Sequence, residues 1–368
     1  MTGARVRQVR ELLGWTQTEL SRRSGVRQAR LSEIESGFLA PAEVVQSIAR
    51  ATGFPEAWFE QPSPSEFPDG TIRYRKTSKA SKRHDRCAVR RLELAAELVD
   101  QLSAGLTLPS VSLQFLGGTS DDVEKVAADT REVLGLAPQG PVKNVTRAIE
   151  RAGAVVVGLP VDLAGAANEV RHHHGVSAWP SLDSRPVIGF STADPGDRQR
   201  HTLAHEVGHL VLHRGDVADR DYESEASRFA GAFLMPRQDA TDAFAGPVTL
   251  QRLGQLKAFW GISIAGLVVR ATQVGVIDRE RQTSLFKQLS ARGWRKTEPV
   301  TVHREQPALI SRLIAERFGP KADWRAVGRR TLLPPHLVRE LALAGSPDLD
   351  AHAEPLLFER QRNVRSAP

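Results

Sequence analysis

The sequence predicts a mainly α-helical protein with a small sheet, an α+β fold. Apolar residues recur at helical spacing along most of the 368 residues, with glycines and prolines ending each run. Only a few short β-branched runs interrupt that pattern, at Ala154 to Val157 and Pro186 to Phe190. The composition, 40% hydrophobic and 25% charged, is that of a globular chain, and the length predicts two or three domains.

The N-terminal sixty residues read as five helices. Val6, Val9, Leu12 and Leu13 give Arg5–Leu13 one apolar side, and Gly14 stops it. Thr16 and Glu19 form a capping box for a helix over Gln17–Ser24. Gly25 supplies a tight turn, and a third helix runs from Arg27 to Ser36 with Gly37 as its stop. Helices over Ala42–Ala51 and Pro55–Glu60 follow. Two helices joined by a short glycine turn form the helix-turn-helix pattern.

Gln61 to Gly70 carries Pro62, Pro64 and Pro68 and marks a boundary. A short strand is predicted at Ile72–Arg75, then a long helix over Lys82–Ala104 with Leu92, Ala95, Ala96, Leu98 and Val99 buried. Helices over Val123–Leu134 and Val142–Arg151 precede the two strands. Toward the C-terminus, Pro307–Phe318 and Leu337–Leu343 read as helices without recognisable chemistry, and Ala351 to Pro368 as a frayed tail. These boundaries divide the chain into 1–62, a linker at 63–80, a second domain over 81–280 and a C-terminal region, 281–368, of unassigned role.

Charge is uneven. The chain carries a net +7, and nine basic residues between Arg73 and Arg91, opposed only by Asp85, account for the excess. Such clustering suits either an anionic partner such as nucleic acid or a solvated face. The single cysteine, Cys87, excludes an intrachain disulfide and a zinc finger and fits a cytoplasmic, reducing setting. There is no apolar run of about 18 residues to span a membrane, and Met1 to Arg5 leads into a charged helix rather than a signal peptide.

The sharpest chemical signal is His205-Glu206-Val207-Gly208-His209. On a helix, residues four apart share a face, so His205 and His209 can place two imidazoles on one metal ion. Glu206 is positioned to work on a water held there. The implied chemistry is zinc-assisted peptide hydrolysis. Leu203, Val207, Leu210, Val211 and Leu212 make the helix apolar around most of its circumference, so it is expected to be buried. Gly208 inside it is explicable if another backbone or a substrate approaches closely. His213 is a candidate for a supporting contact, whereas His201 and His172–His174 read as polar loop or helix-face residues. Ser263 reads as an N-cap beside Trp260.

A catalytic zinc commonly takes a third protein ligand. The helix from Tyr222 to Leu234 buries Ala226, Phe229, Ala230, Phe233 and Leu234, and both Glu223 and Glu225 could reach back from it. Helical geometry does not decide between them, and Glu223 projects nearer the centre of the buried stripe.

The stretch WTQTELSRRSGVRQARLSEIESG resembles the DNA-binding domain of lambda-repressor-like, XRE-type regulators over residues 5–60. That resemblance implies a third helix in the major groove of double-stranded operator DNA, with Arg27, Gln28, Arg30 and Ser32 facing it and Gln17 on a phosphate. The stretches RQRHTLAHEVGHLVLH, ESEASRFAGAFLMP and LKAFWGISIAGLVVRATQVGVI resemble the ImmA/IrrE family of zinc metallopeptidases over about residues 125–280. This second resemblance implies a zincin-like domain, a Zn2+ ion held by His205, His209 and Glu225, and Glu206 as the catalytic base. Ser227 departs from it, since the family more often has Asn there. Together they imply a DNA-binding regulator that cleaves a protein substrate, a transcriptional repressor or similar, in a stress or phage-type response. A homodimer on paired half-sites is expected, with no membrane partner. The alternative is a transcription factor whose metallopeptidase-like domain senses a metal or ligand, or binds a partner as an antitoxin does, without turnover.

Overall fold

The computed structural model describes residues 3–63, 66–68, 72–74, 82–117, 122–160, 175–181, 184–213, 221–344 and 359–360. Its regular structure is mainly helical, with a four-stranded and a two-stranded sheet, as the sequence predicts. The expectations for Arg75, Lys76, Lys79 and His172–His174 lie outside the described residues, as does nearly all of the tail. The chain divides into two compact units that alternate along it: Met1–Pro109, Val155–Thr192 and Pro307–Pro368 form one, Ser110–Ala154 and Ala193–Gln306 the other.

The first unit opens with α1 (Gly3–Leu12), α2 (Gln17–Ser24), α3 (Gln28–Glu35), α4 (Ala42–Thr52) and a 3-10 turn at Glu56–Glu60. The capping box forms: Thr16 Oγ1 accepts from Glu19 N at 3.1 Å, and Glu19 Oε2 accepts from Thr16 N at 2.6 Å. Gly25 holds φ 74°, the left-handed conformation the turn between α2 and α3 requires. Val6, Val9, Leu20, Leu31, Ile34, Ile48, Trp58 and Phe59 make the core of this bundle.

That core runs on into α5 (Lys82–Ser103), which α1 packs against. Arg5 Nη1 bonds Glu97 Oε2 at 2.7 Å, and Cys87 Sγ donates to Leu12 O at 2.9 Å. Arg90 is buried between Glu11 (2.9 Å) and Glu93 (2.8 Å) and reaches Glu66 at 3.1 Å. Arg83 pairs with Glu19, and Arg91 with Glu340. At Arg83, Arg90 and Arg91 the basic run therefore holds the unit's own carboxylates rather than offering a free cationic face.

The larger sheet is ordered β1 (Ile72–Tyr74), β4 (Gly175–Ala178), β5 (Val187–Ser191), β3 (Val155–Leu159). β3 and β5 are parallel with Val155 opposite Val187, and the other pairs are antiparallel. The β-branched residues of β3 and β5 are buried throughout, which is why these two runs lack a polar alternation. β2 (Leu106–Thr107) pairs with β6 (Glu359–Arg360). The unit closes with α14 (Leu309–Phe318), α15 (Trp324–Thr331) and α16 (Pro335–Leu343), of which α14 packs on α5 and α16 on β3.

The second unit holds α6 (Val123–Val133), α7 (Val145–Arg151), α8 (Gly196–Leu212), α9 (Tyr222–Leu234), α10 (Arg237–Ala243), α11 (Leu250–Trp260), α12 (Ile264–Gln273) and α13 (Arg279–Ala291). α8 and α9 make its most extensive helix pair, and α6 packs on α9. α7 starts at Val145 rather than Val142, because Asn144 caps it (Oδ1 to Arg147 N, 2.8 Å) and the Val142 carbonyl serves Arg200 instead.

Candidate metal centre and nucleic-acid interface

α8 carries the HEVGH stretch and is buried along nearly its whole length. Its first turns are fixed by charge. Asp197 bonds Lys257 of α11 at 2.7 Å, and the same ammonium bonds Glu298 at 2.9 Å. Glu298 also accepts from the N-terminal amides of α12, Ile264 N at 2.7 Å and Ala265 N at 3.1 Å, where a carboxylate is favoured. Arg200 pairs with Glu305, which accepts as well from Thr146 N at 2.7 Å. At the other end, Leu116 N and Gly117 N both donate to Val211 O, at 2.7 and 2.9 Å. With both ends fixed, the helix presents His205 and His209 on one face, each essentially without solvent exposure.

α9 lies directly against that face. A Cβ on Gly208 would stand 3.2 Å from Ala226 Cα and 2.9 Å from Phe229 Cδ1. The glycine lets a second helix backbone approach, one of the two explanations the sequence offers. The approach sets the rotation of α9. Glu223 Oε1 lies 3.3 Å from His209 Nε2, and Glu223 Oε2 lies 3.5 Å from His205 Nε2. The two Nε2 atoms are 3.0 Å apart. Ligands held tetrahedrally about 2.05 Å from a zinc are roughly 3.3 Å from one another, so two imidazoles and a carboxylate at these separations fit one ion.

Glu225, which the family resemblance implies as the third ligand, lies elsewhere. Two residues along a helix turn about 200° around its axis, so two such carboxylates do not share a direction. Glu225 Oε2 lies 2.9 Å from His213 Nε2, and His213 Nδ1 lies 2.9 Å from His209 Nδ1. A carboxylate only accepts, so His213 carries its proton on Nε2 and offers Nδ1 as an acceptor. His209 then donates from Nδ1, and the lone pair of its Nε2 points at the centre. Ser227 Oγ, 3.3 Å from His205 Nδ1, is placed to do the same for the other imidazole. α9 thus carries one carboxylate toward the inner nitrogens and groups that engage the outer ones.

Burial works to raise the Glu223 carboxyl. With no metal between them, protons on the Nε2 atoms of His205 and His209 bond this carboxylate, outweigh burial and hold the group well below the usual carboxylate range; a bound zinc would take the place of those protons. Glu206 is buried on the same helix, one residue on from His205. His201 has its ring 6.3 Å from that of His205 and does not join the cluster. Ser263 caps α12, its Oγ accepting from Gly266 N at 3.0 Å.

In the first unit, Arg27, Gln28 and Ser32 are exposed at and along α3, and Arg30 is partly buried. Gln17 Oε1 accepts from Gln28 Nε2 at 3.0 Å while Gln17 Nε2 donates to Glu35 at 2.9 Å. Arg10 clasps Glu35 through two bonds of 2.6 and 2.8 Å. The chain Arg10–Glu35–Gln17–Gln28 braces the start of α3 from the bundle behind it. Arg30 bonds Glu33 and the Leu39 carbonyl, so its guanidinium is held beside the helix.

Two family models match the chain: helix-turn-helix over residues 6–59, and IrrE N-terminal-like domain over residues 149–272. Both resemblances are therefore borne out, and the chain joins a helix-turn-helix DNA-binding domain to an IrrE-like domain. No match was found among curated proteins. No helix among the described residues is long and apolar enough to cross a membrane.

Proposed function

We propose that the protein is a DNA-binding regulator whose IrrE-like domain is a zinc-dependent endopeptidase directed at one regulatory protein. The observation that carries this reading is the convergence of His205 Nε2, His209 Nε2 and Glu223 on one point of a buried helix that also bears Glu206. His205, His209 and Glu223 would hold the zinc, which when bound polarises a water molecule and the scissile carbonyl. Glu206 takes the proton of the attacking water on its carboxylate and returns it to the leaving amide nitrogen. His213 and Glu225 orient His209, and Ser227 orients His205.

The helix-turn-helix domain binds an operator on double-stranded DNA through Arg27, Gln28, Arg30 and Ser32, with Gln17 near a phosphate. Gln28 suits adenine, and an arginine suits guanine or phosphate. Paired half-sites would call for a homodimer. Tethering at the operator raises the local concentration of the peptidase beside a repressor bound alongside, its proposed substrate in a stress or mobile-element response. The lone buried Cys87 suits a cytoplasmic setting.

The Glu206→Gln chain tests this. It should retain about one zinc per chain, hold an uncut regulatory protein through affinity purification, and leave that protein intact where the parent chain cuts it. Cleavage at the parent's rate would remove Glu206 from the mechanism. Protein purified without zinc would overturn the metal assignment.

A further inference from the structure

We propose that α15 and α16 form a second helix-turn-helix that docks on double-stranded DNA, independently of the peptidase reading. The proposal starts from a correspondence inside the chain. α2 spans Gln17–Ser24, ends at Gly25 in the left-handed conformation (φ 74°), and α3 begins at Gln28. α15 spans Trp324–Thr331, ends at Leu332 in the same conformation (φ 58°), and α16 begins at Pro335. Each of these landmarks recurs at one constant spacing, as do the side-chain N-caps Thr16 and Asp323.

The packing corresponds as well. Leu20, Val26, Leu31 and Ile34 are buried in the first motif, and Val327, Leu333, Val338 and Leu341 fill the same places in the second. The first helix of each carries a small residue where the turn folds back. Ser21 Oγ donates to Val26 O at 2.6 Å, and a Cβ on Gly328 would stand 2.7 Å from Leu333 O. A leucine held left-handed at the turn shows that packing imposes this bend without glycine's help.

The exposed positions match too, and they indicate the partner. On α3 the outward residues after the turn are Gln28, Ala29, Ser32 and Glu33; on α16 they are Pro335, His336, Arg339 and Glu340. On α15, Arg325, Arg329 and Arg330 are exposed. From Trp324 to Leu343 the only acid is Glu340, and Arg91 of α5 already pairs with it. The outward face is therefore cationic, as a phosphate backbone requires. Leu337, at the place of Arg30, is buried, so contact falls to the arginines and His336, with phosphate engagement outweighing base reading.

Fluorescence anisotropy of the full chain with a labelled mixed-sequence duplex of about 40 base pairs, titrated at several salt concentrations, tests the proposal. The triple variant Arg329→Ala, Arg330→Ala, Arg339→Ala changes only exposed side chains. It should weaken binding and lower the slope of log K against log salt by about 2 to 3, near one for each phosphate no longer neutralised. Arg339→Glu alone should lower both in the same direction, and circular dichroism should show an unchanged melt for each variant. A control triple on α13 and beyond, Lys287→Ala, Arg292→Ala, Arg295→Ala, should leave affinity and slope unaltered. A wild-type slope in the α15–α16 variants, or an equal loss in the control, overturns the proposal and leaves this face to a protein partner or to solvent.

Discussion

Arg90 and Arg91 are neighbours on α5, yet they hold different parts of the chain: Arg90 bonds Glu11 of α1, and Arg91 bonds Glu340 of α16. The consequences differ with burial. Arg90 sits among buried carboxylates, whereas half of the Glu340 side chain is exposed.

Burial alone would lower the Arg90 guanidinium, but Glu93 and Glu11 raise it further than that. Burial likewise works to raise Glu11, and Arg90 holds it below its usual value; Glu93 stays raised because burial prevails. Replacing Arg90 by Met leaves both carboxylates without this counter-charge. Urea unfolding should show a loss of about 3–5 kcal/mol. Arg91→Met, whose partner is solvated, should cost less than about 1 kcal/mol. Equal losses would contradict the role assigned to Arg90.

The two acids of α9 separate by zinc affinity. Glu223→Gln removes a proposed ligand and should abolish tight binding in a chelator competition. Glu225→Gln disturbs only the partner of His213 and should weaken binding by about 10–100-fold. The reverse order would restore Glu225 to the ligand set.

Gly208→Ala sets two effects against each other. Alanine favours a helix by about 1 kcal/mol over glycine. Its methyl group would press on Ala226 Cα and Phe229 at contacts of 3.2 and 2.9 Å. Overpacking of that kind costs about 1–3 kcal/mol, so net destabilisation and looser zinc binding are expected. A raised melting temperature with unchanged zinc affinity would show that α9 yields at no cost.

Lys257 predicts an alkaline dependence. Burial lowers its ammonium, but the bonds to Asp197 and Glu298 raise it above its ordinary value. A lysine held up in the folded state contributes stability that is complete below its unfolded value, about pH 10.4, and is lost as pH rises through the folded one. The stability difference between the parent and Lys257→Met should therefore stay flat from about pH 7 to 9 and shrink above about pH 10.4. A difference that grows with pH would contradict the sign.

Much of this was legible from local pattern. The capping box at Thr16 and Glu19, the turn at Gly25, the helix bearing His205 and His209 and the β-branched strands all follow from neighbouring residues. Which acid of α9 faces His205 and His209 did not, because it depends on how α9 is rotated on α8, where Gly208 lies against Ala226. α15 gives a weak signal because its arginines leave it little apolar periodicity, with Val327 its one buried aliphatic side chain larger than alanine. β4, Gly175–Ala178, has a single β-branched residue and takes its conformation from the strands on either side. The apolar stripe of α5 announces burial without naming a partner, and α1, α14 and β3 turn out to share it.

The alternation of the two units along the chain bears on how the protein is made. Arg91 and Glu340 are 249 residues apart in sequence, so the surface of α5 that meets α14 and α16 is synthesised long before its cover. At ribosomal rates of about 5–20 residues per second, that interval is roughly 12 to 50 seconds. During it the nascent chain carries an open apolar helix, a natural site for chaperone engagement and for misassembly. The helix-turn-helix domain emerges well before α14 and α16, the helices that complete the platform beneath it.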